Sequence, residues 1–201
     1  MSEKFYYEAP WARLIITIED DQLSGIEFLS AETESSLNHR KHILNKGQTA
    51  QKVCKQLDEY FSGSRRVFDL PLRLRGTGFQ KEVWEVLQQI PYGEVLSYGQ
   101  VAKTIGRPQA QRAVGMACNH NPVPIVVPCH RVLGTNGRLT GYAGGLDIKV
   151  RLLELEKKNK VSFNNRFHAE PGFHNPAPSF IPALSVFAFS MPGLKSTLFA
   201  R

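Results

Sequence analysis

The residues best suited to covalent chemistry stand together in Asn121-Pro-Val-Pro-Ile-Val-Val-Pro-Cys-His-Arg-Val132. Cys129 is the candidate nucleophile and His130, its neighbour, the candidate base. A cysteine attacks as its thiolate, yet a free thiol of pKa ~8.5 is mostly protonated at neutral pH. A base that takes the proton therefore separates a reagent from a small buried apolar group. The run Ile125–Val127 is β-branched and predicts a short buried strand. Pro122, Pro124 and Pro128 make that strand irregular, because proline cannot donate to a ladder. Successive side chains of an extended segment point to opposite faces, so His130 reaches Cys129 only through a bend or a bridging water. No Asp or Glu occurs between Glu94 and Asp147, whereas Lys103, Arg107, Arg112, Arg131 and Arg138 do. A basic, acid-free stretch around a nucleophile suits a polyanionic partner.

The whole chain sets bounds on that chemistry. Its 201 residues, 42% hydrophobic and 21% charged, suit one globular domain or two small ones. The net charge of +7 is concentrated beyond Lys157, where Glu170 is the one acid, so it says little about a partner. Cys54, Cys118 and Cys129 are an odd number without motif spacing, which favours free thiols in a reducing compartment over a disulfide framework. No segment is long and apolar enough to cross a bilayer, and Met1–Tyr7 has no signal-peptide core. A cytoplasmic protein is expected, nucleoid-associated in a bacterial host. His39 and His42 stand at i and i+3 without a third ligand nearby, so they read as a solvated face and no metal site is expected.

The elements that must position Cys129 follow from periodicity. Two alternating runs, Ala12–Ile18 and Gly25–Leu29, flank Glu19-Asp-Asp-Gln22 and predict a β-hairpin. Residues 31–46 read as a polar surface loop. Val53, Leu57, Tyr60 and Phe61 recur at helical spacing within Gln48–Phe61, and Gly63 stops that helix. Phe68–Leu74 resumes an extended alternation. This first part reads as a small α+β unit with nothing catalytic in it. Thr77 caps a helix Phe79–Ile90, which Pro91-Tyr92-Gly93 breaks. Ser97 caps a second, Tyr98–Ile105, and Pro108 opens a third running to about Cys118. The last two have helix-turn-helix spacing. The second of that pair carries Arg112 among Ala110, Ala113, Gly115 and Ala117, small residues that allow close approach to a groove floor. Asn136-Gly137 predicts a type I′ hairpin between Arg131–Leu133 and Arg138–Thr140. After the flexible loop Gly141–Gly145, Asp147 caps a last helix from Ile148 to about Lys158. Leu152, Leu153 and Leu155 face its core side, and Glu156 ends the apolar stripe. Residues 161–201 hold seven of the twelve Phe and no sustained period, and are expected to form a poorly ordered extension. The expected domains are therefore 1–75, 76–160 and 161–201.

These residues resemble the O6-alkylguanine-DNA alkyltransferases, the methylated-DNA–protein-cysteine methyltransferases. The resemblance covers roughly residues 68–157. It rests on Pro128-Cys-His-Arg-Val132, Asn121-Pro-Val-Pro, Arg112-Ala-Val-Gly, Ser97-Tyr98, and Tyr142-x-Gly-Gly-Leu146 with Glu156 beyond. The first 67 residues match by length and pattern alone. The resemblance implies an α+β protein: a small N-terminal ribonuclease H-like α/β domain, then a C-terminal helical domain with a helix-turn-helix and an active-site cysteine. It implies a monomer that binds double-stranded DNA and flips O6-alkylguanine, or O4-alkylthymine, out of the stack. The alkyl group then moves irreversibly to Cys129, without cofactor or metal. By the same resemblance, His130 is the base, acting through a water, and Glu156 orients it and helps to lower the thiol pKa. Tyr98 assists protonation of the leaving base, Arg112 fills the gap in the stack, and Asn121 braces the cysteine turn. Ser97, Val132, Tyr142, Ala143 and Gly144 line the DNA or base pocket. Three rivals remain. A lesion-binding relative lacks the nucleophile that this chain keeps. A cysteine hydrolase built on Cys129, His130 and Glu156 needs no helix-turn-helix. An adaptive-response activator carries further DNA-binding and metal-cysteine modules.

Overall fold

The computed structural model describes residues 2–29 and 47–167, with side chains as far as Lys160. His39, His42 and the extension beyond residue 167 lie outside the described residues. Three antiparallel strands open the chain in the order β1 (Ser2–Ala9), β2 (Ala12–Glu19), β3 (Gln22–Phe28). Asp20 (φ 47°) and Asp21 (φ 58°) make the two-residue turn between β2 and β3, in the left-handed conformation such hairpins need. The predicted hairpin is thus two-thirds of the sheet. β1 also alternates, with Phe5 and Tyr7 buried, but the aromatic run Phe5-Tyr6-Tyr7 hides its period. Helix α1 (Gln48–Phe61) lays Ala50, Val53, Leu57 and Tyr60 against Leu14, Ile16, Leu23 and Ile26 of the sheet. The extended stretch around Leu72 joins the edge of β3 by a single bridge to Leu23.

Helix α2 (Gly78–Gln89) starts at a capping box, Thr77 with Gln80, and α3 (Tyr98–Thr104) at another, Ser97 with Gln100. Helix α4 (Gln111–Asn119) begins three residues later than predicted. The Ala110 amide donates to the Arg107 carbonyl at 2.9 Å, so Pro108 sits at the second position of a β-turn rather than opening the helix.

Two further expectations fail near the cysteine. Val123–Val127 is buried, but it is no strand. The Val127 amide donates to the Val123 carbonyl at 2.9 Å, closing a tight turn with Ile125 at φ +76°, an uncommon value for a β-branched residue. The flanking prolines remove the donors a strand would need. Asn136 (φ 60°) and Gly137 (φ 75°) do adopt the left-handed conformation, but no hairpin ladder follows. Instead β5 (Val132–Leu133) pairs in parallel with β4 (Leu96–Ser97), tying the cysteine turn to the start of the helix-turn-helix. Helix α5 (Leu146–Phe167) places Asp147 in its first turn rather than at its cap, and runs past both Lys158 and residue 160, where the extension was expected to begin.

Candidate active site

Cys129 opens a short 3-10 turn, Cys129–Arg131, that follows directly on the Val123–Val127 turn. This turn is the bend that an extended segment lacks. Asn121 holds it from the end of α4. Its Nδ2 donates to the Val127 carbonyl at 2.7 Å and to Cys129 Sγ at 3.1 Å, while its Oδ1 accepts from the Val123 amide at 3.1 Å. One side chain thereby fixes both the backbone turn and the sulfur. Cys129 is only 4% exposed, so nothing stacked inside a duplex reaches it.

Glu156, fully buried on α5, is the hub behind the cysteine. Its Oε1 lies 2.9 Å from His130 Nε2, and accepts from Arg131 Nη2 at 2.8 Å and from the Tyr60 hydroxyl at 2.7 Å. Its Oε2 accepts from Arg131 Nε and from the Gly93 amide, each at 2.9 Å. Gly93 makes that amide available by turning at φ +72°, a conformation that favours glycine. Arg131 is 5% exposed, also donates to the Ile90 carbonyl at 2.6 Å, and stacks over Tyr92.

Burial pushes Glu156 up, but bonds from His130 and Arg131 outweigh it and hold the carboxyl well below the usual carboxylate range. Arg131 supplies the permanent charge. Burial holds His130 below its ordinary value despite that carboxylate, so the ring is neutral. An ionised carboxylate only accepts, so Nε2 must carry the imidazole proton and Nδ1 the lone pair. Nδ1 makes no hydrogen bond among the described residues. The ring is therefore held by one nitrogen with the other ready to take a proton.

Burial pushes the Cys129 thiol up to about 11, against the Asn121 hydrogen bond and the Lys149 cation, which pull it down. This reverses the expectation of a thiol lowered by His130 and Glu156. Desolvation dominates, and a neutral imidazole offers no compensating charge. Lys149, itself buried on α5, donates from Nζ to the Val132 carbonyl at 2.8 Å and the Thr140 carbonyl at 3.2 Å.

Residues of α3, α4 and the segment after β5 line an open cleft of about 700 Å³, among them Ser97, Tyr98, Arg112, Gly115, Thr140 and Gly141. The hydroxyls of Tyr98 and Thr140, both lining residues, are 2.8 Å apart. Arg112 is exposed on α4. A methyl group at Gly115 would meet only the Tyr98 ring at 3.8 Å, an ordinary contact, so core packing does not demand the small residue. The basic stretch divides. Arg107 pairs with Glu82 at 3.0 Å and Arg131 with Glu156, which leaves Lys103, Arg112 and Arg138 exposed, without an ion pair among the described residues.

The structure thus forms two hydrogen-bonded pairs on one turn, Asn121 with Cys129 and Glu156 with His130, with the Tyr142 ring edge-on to His130 at 6.4 Å. The Tyr142 hydroxyl is buried without a hydrogen bond among the described residues. Tyr98, Ser97 and Arg112 stand apart, along the cleft. Val132 is fully buried behind the turn, and Ala143 is exposed on the loop. Gly144 lies so close to Phe28 that a Cβ would come within 2.8 Å of its ring, which locks this loop onto β3. Spacing alone does not reveal Arg131, Gly93 or Tyr60 as ligands of Glu156. Lys149 was legible. It shares a helical face with Leu152 and Glu156, so turning Glu156 inward turns Lys149 inward too. The N-terminal unit is not without a part in the site, since it supplies Tyr60.

Comparison with known proteins agrees with this geometry. The profile described as "6-O-methylguanine DNA methyltransferase, ribonuclease-like domain" matches residues 4–74, and that of the DNA binding domain of the same family matches residues 78–158. The methylated-DNA–protein-cysteine methyltransferase of Mycobacterium bovis is 59% identical over 150 residues, covering 75% of this chain and 89% of that protein. The one from Methanosarcina acetivorans is 43% identical over 150 residues, covering 75% and 95%. The crystal structure of the Mycobacterium tuberculosis O6-methylguanine methyltransferase superposes with a TM-score of 0.68 at 40% identity, covering 79% of this chain and 94% of that one. A structure of that bacterium's enzyme in complex with DNA gives 0.67 at 43% identity, covering 77% and 92%. With both halves matched in order, the chain belongs to the 6-O-methylguanine DNA methyltransferase family.

Proposed function

We propose that this protein repairs DNA directly, moving a methyl or larger alkyl group from O6 of guanine onto Cys129 in a single turnover. The observation that carries this reading is the buried thiol of Cys129 next in the chain to an imidazole whose one nitrogen is fixed by Glu156 and whose other makes no hydrogen bond among the described residues. Cys129 and His130 share no direct hydrogen bond, so in this reading a water relays the thiol proton to Nδ1. Lys149 and the Asn121 amide steady the sulfur as it becomes anionic. The sulfur attacks the alkyl carbon, the S–C bond forms as the O6–C bond breaks, and the electron pair stays on the purine. A phenol donor answers that developing charge, and this reading gives the part to Tyr98, which lines the cleft. The imidazolium formed at His130 is stabilised by Glu156.

A base inside a duplex cannot approach a thiol this buried, so the lesion must leave the stack, at a cost of a few kcal/mol. The cleft gives it a place to go. Arg112, exposed on α4 and lining the cleft, takes the position the base vacates, and Ser97 lines the same cleft, whereas Val132 is too deeply buried to touch the base. O4-alkylthymine presents a similar alkylated oxygen and is the second substrate of this reading. No group in the described site can break a thioether, so each chain acts once. The free thiols fit a cytoplasmic setting, and among the described residues no helix is long and apolar enough to cross a membrane.

The test is a titration of tritiated O6-methylguanine duplex. Label should leave the DNA and plateau at one methyl per protein chain, with the guanine restored in place. Continued turnover, or release of methanol to solvent, contradicts the proposal and favours a hydrolase.

A further inference from the structure

We propose that Tyr60, from the N-terminal half, is a positioning residue of alkyl transfer, because its hydroxyl holds the same carboxylate oxygen that orients His130. The inference rests on the reading of His130 as base. Tyr60 sits on α1, 96 positions away from Glu156 in sequence, and is fully buried. Its ring is wedged among Phe61, Phe68 and Tyr92, with centroids 5.4, 5.3 and 5.9 Å away. A phenylalanine would satisfy that packing. The hydroxyl adds nothing to the apolar core and would be costly there without an acceptor. Its acceptor is Glu156 Oε1 at 2.7 Å, the atom that also meets His130 and Arg131 Nη2.

Three residues donate to that one oxygen, Arg131 from Nε at 3.2 Å as well as from Nη2. Each draws on its negative charge, so the bond to His130 depends on the other two. With Tyr60 in place the oxygen is anchored from the sheet-and-helix layer as well as from the cysteine turn. Without it, more charge falls on the His130 bond and the carboxylate is held on one fewer side. The N-terminal unit has no nucleophile in the site, yet it sets the strength of the bond that orients the base.

The test is Tyr60→Phe in the full chain, read in two ways. The first is the proton resonance of the His130 Nε2–H, assigned by its disappearance in His130→Gln. A carboxylate relieved of the phenol binds this proton more tightly, so the resonance should move downfield. The second is single-turnover methyl transfer from duplex DNA, which should slow about tenfold, the worth of roughly one hydrogen bond to a charged group, while DNA affinity is unchanged. A resonance that stays in place, or a rate within about twofold of the native protein, overturns the proposal. If His130→Gln abolishes transfer while Tyr60→Phe is silent, the role of Tyr60 alone falls. If His130→Gln transfers at the native rate, the assignment of the base falls and that of Tyr60 with it.

Discussion

Glu156→Gln should cost the protein about 3–5 kcal/mol of folding stability, a large share of the roughly 5–15 kcal/mol that holds a domain together. The amide keeps the shape of the side chain and loses its charge. Arg131, 5% exposed, is then a buried cation without a counter-ion. One end of the amide becomes a donor facing donors, since Arg131, Gly93, His130 and Tyr60 all point hydrogens at this group. Urea denaturation gives the loss directly, and the melting temperature should fall on the order of 10 °C. A change below about 1 kcal/mol would mean that solvent reaches Arg131 and that the charged hub is not closed. The same group predicts an acid limb. The folded protein holds the Glu156 carboxyl below its ordinary value, so its contribution is complete above the unfolded pKa of ~4.3 and is lost as pH falls through and below it. Stability of the native protein should therefore drop steeply below about pH 4.3, and the Glu156→Gln protein should show a flatter profile.

Arg112→Ala should slow repair of duplex DNA by about 10–100-fold and leave reaction with free O6-benzylguanine nearly untouched. Extrusion of a base costs a few kcal/mol, and an inserted side chain recovers part of it. Arg112 is exposed on α4 and lines the cleft, with no ion pair among the described residues, so its removal leaves the fold intact. A free base needs no extrusion. Equal slowing on both substrates would assign Arg112 to the cysteine chemistry instead, and equal rates on both would remove it from base flipping.

What the sequence reveals of this fold follows the reach of local rules. Thr77 and Ser97 are followed three residues later by Gln80 and Gln100, and both helices begin where the capping boxes form. The same rules misplace the turn before Cys129. Val123–Val127 is apolar and β-branched, as a strand would be, and only the prolines around it and a left-handed Ile125 turn it back on itself. Cys129 and His130 are legible as neighbours, because adjacency alone suggests a nucleophile and base. Glu156 becomes a partner of His130 only when helix α5 folds across the turn. Its other ligands, Tyr60 and Gly93, come from elements with no chemistry of their own. Tyr60 follows Val53 and Leu57 along the buried face of α1, and nothing in that apolar spacing marks its hydroxyl as bonded to a distant carboxylate. The raised thiol pKa is also beyond sequence reasoning, because the neighbouring histidine argues for a lowered one and only burial reverses it.

Peptide mapping by mass spectrometry after reaction with an O6-methylguanine duplex tests the central claim most directly. Cys118 and Cys129 are outside any disulfide among the described residues and Cys54 is a third cysteine to map, so the chain contains its own controls. Cys118 is buried as well, and burial pushes its thiol up to about 12. It has no adjacent base. The account predicts one added methyl per chain, on the peptide that carries Cys129, with Cys54 and Cys118 unmodified. A methyl on either of those, or a repaired duplex beside an unmodified protein, would contradict it.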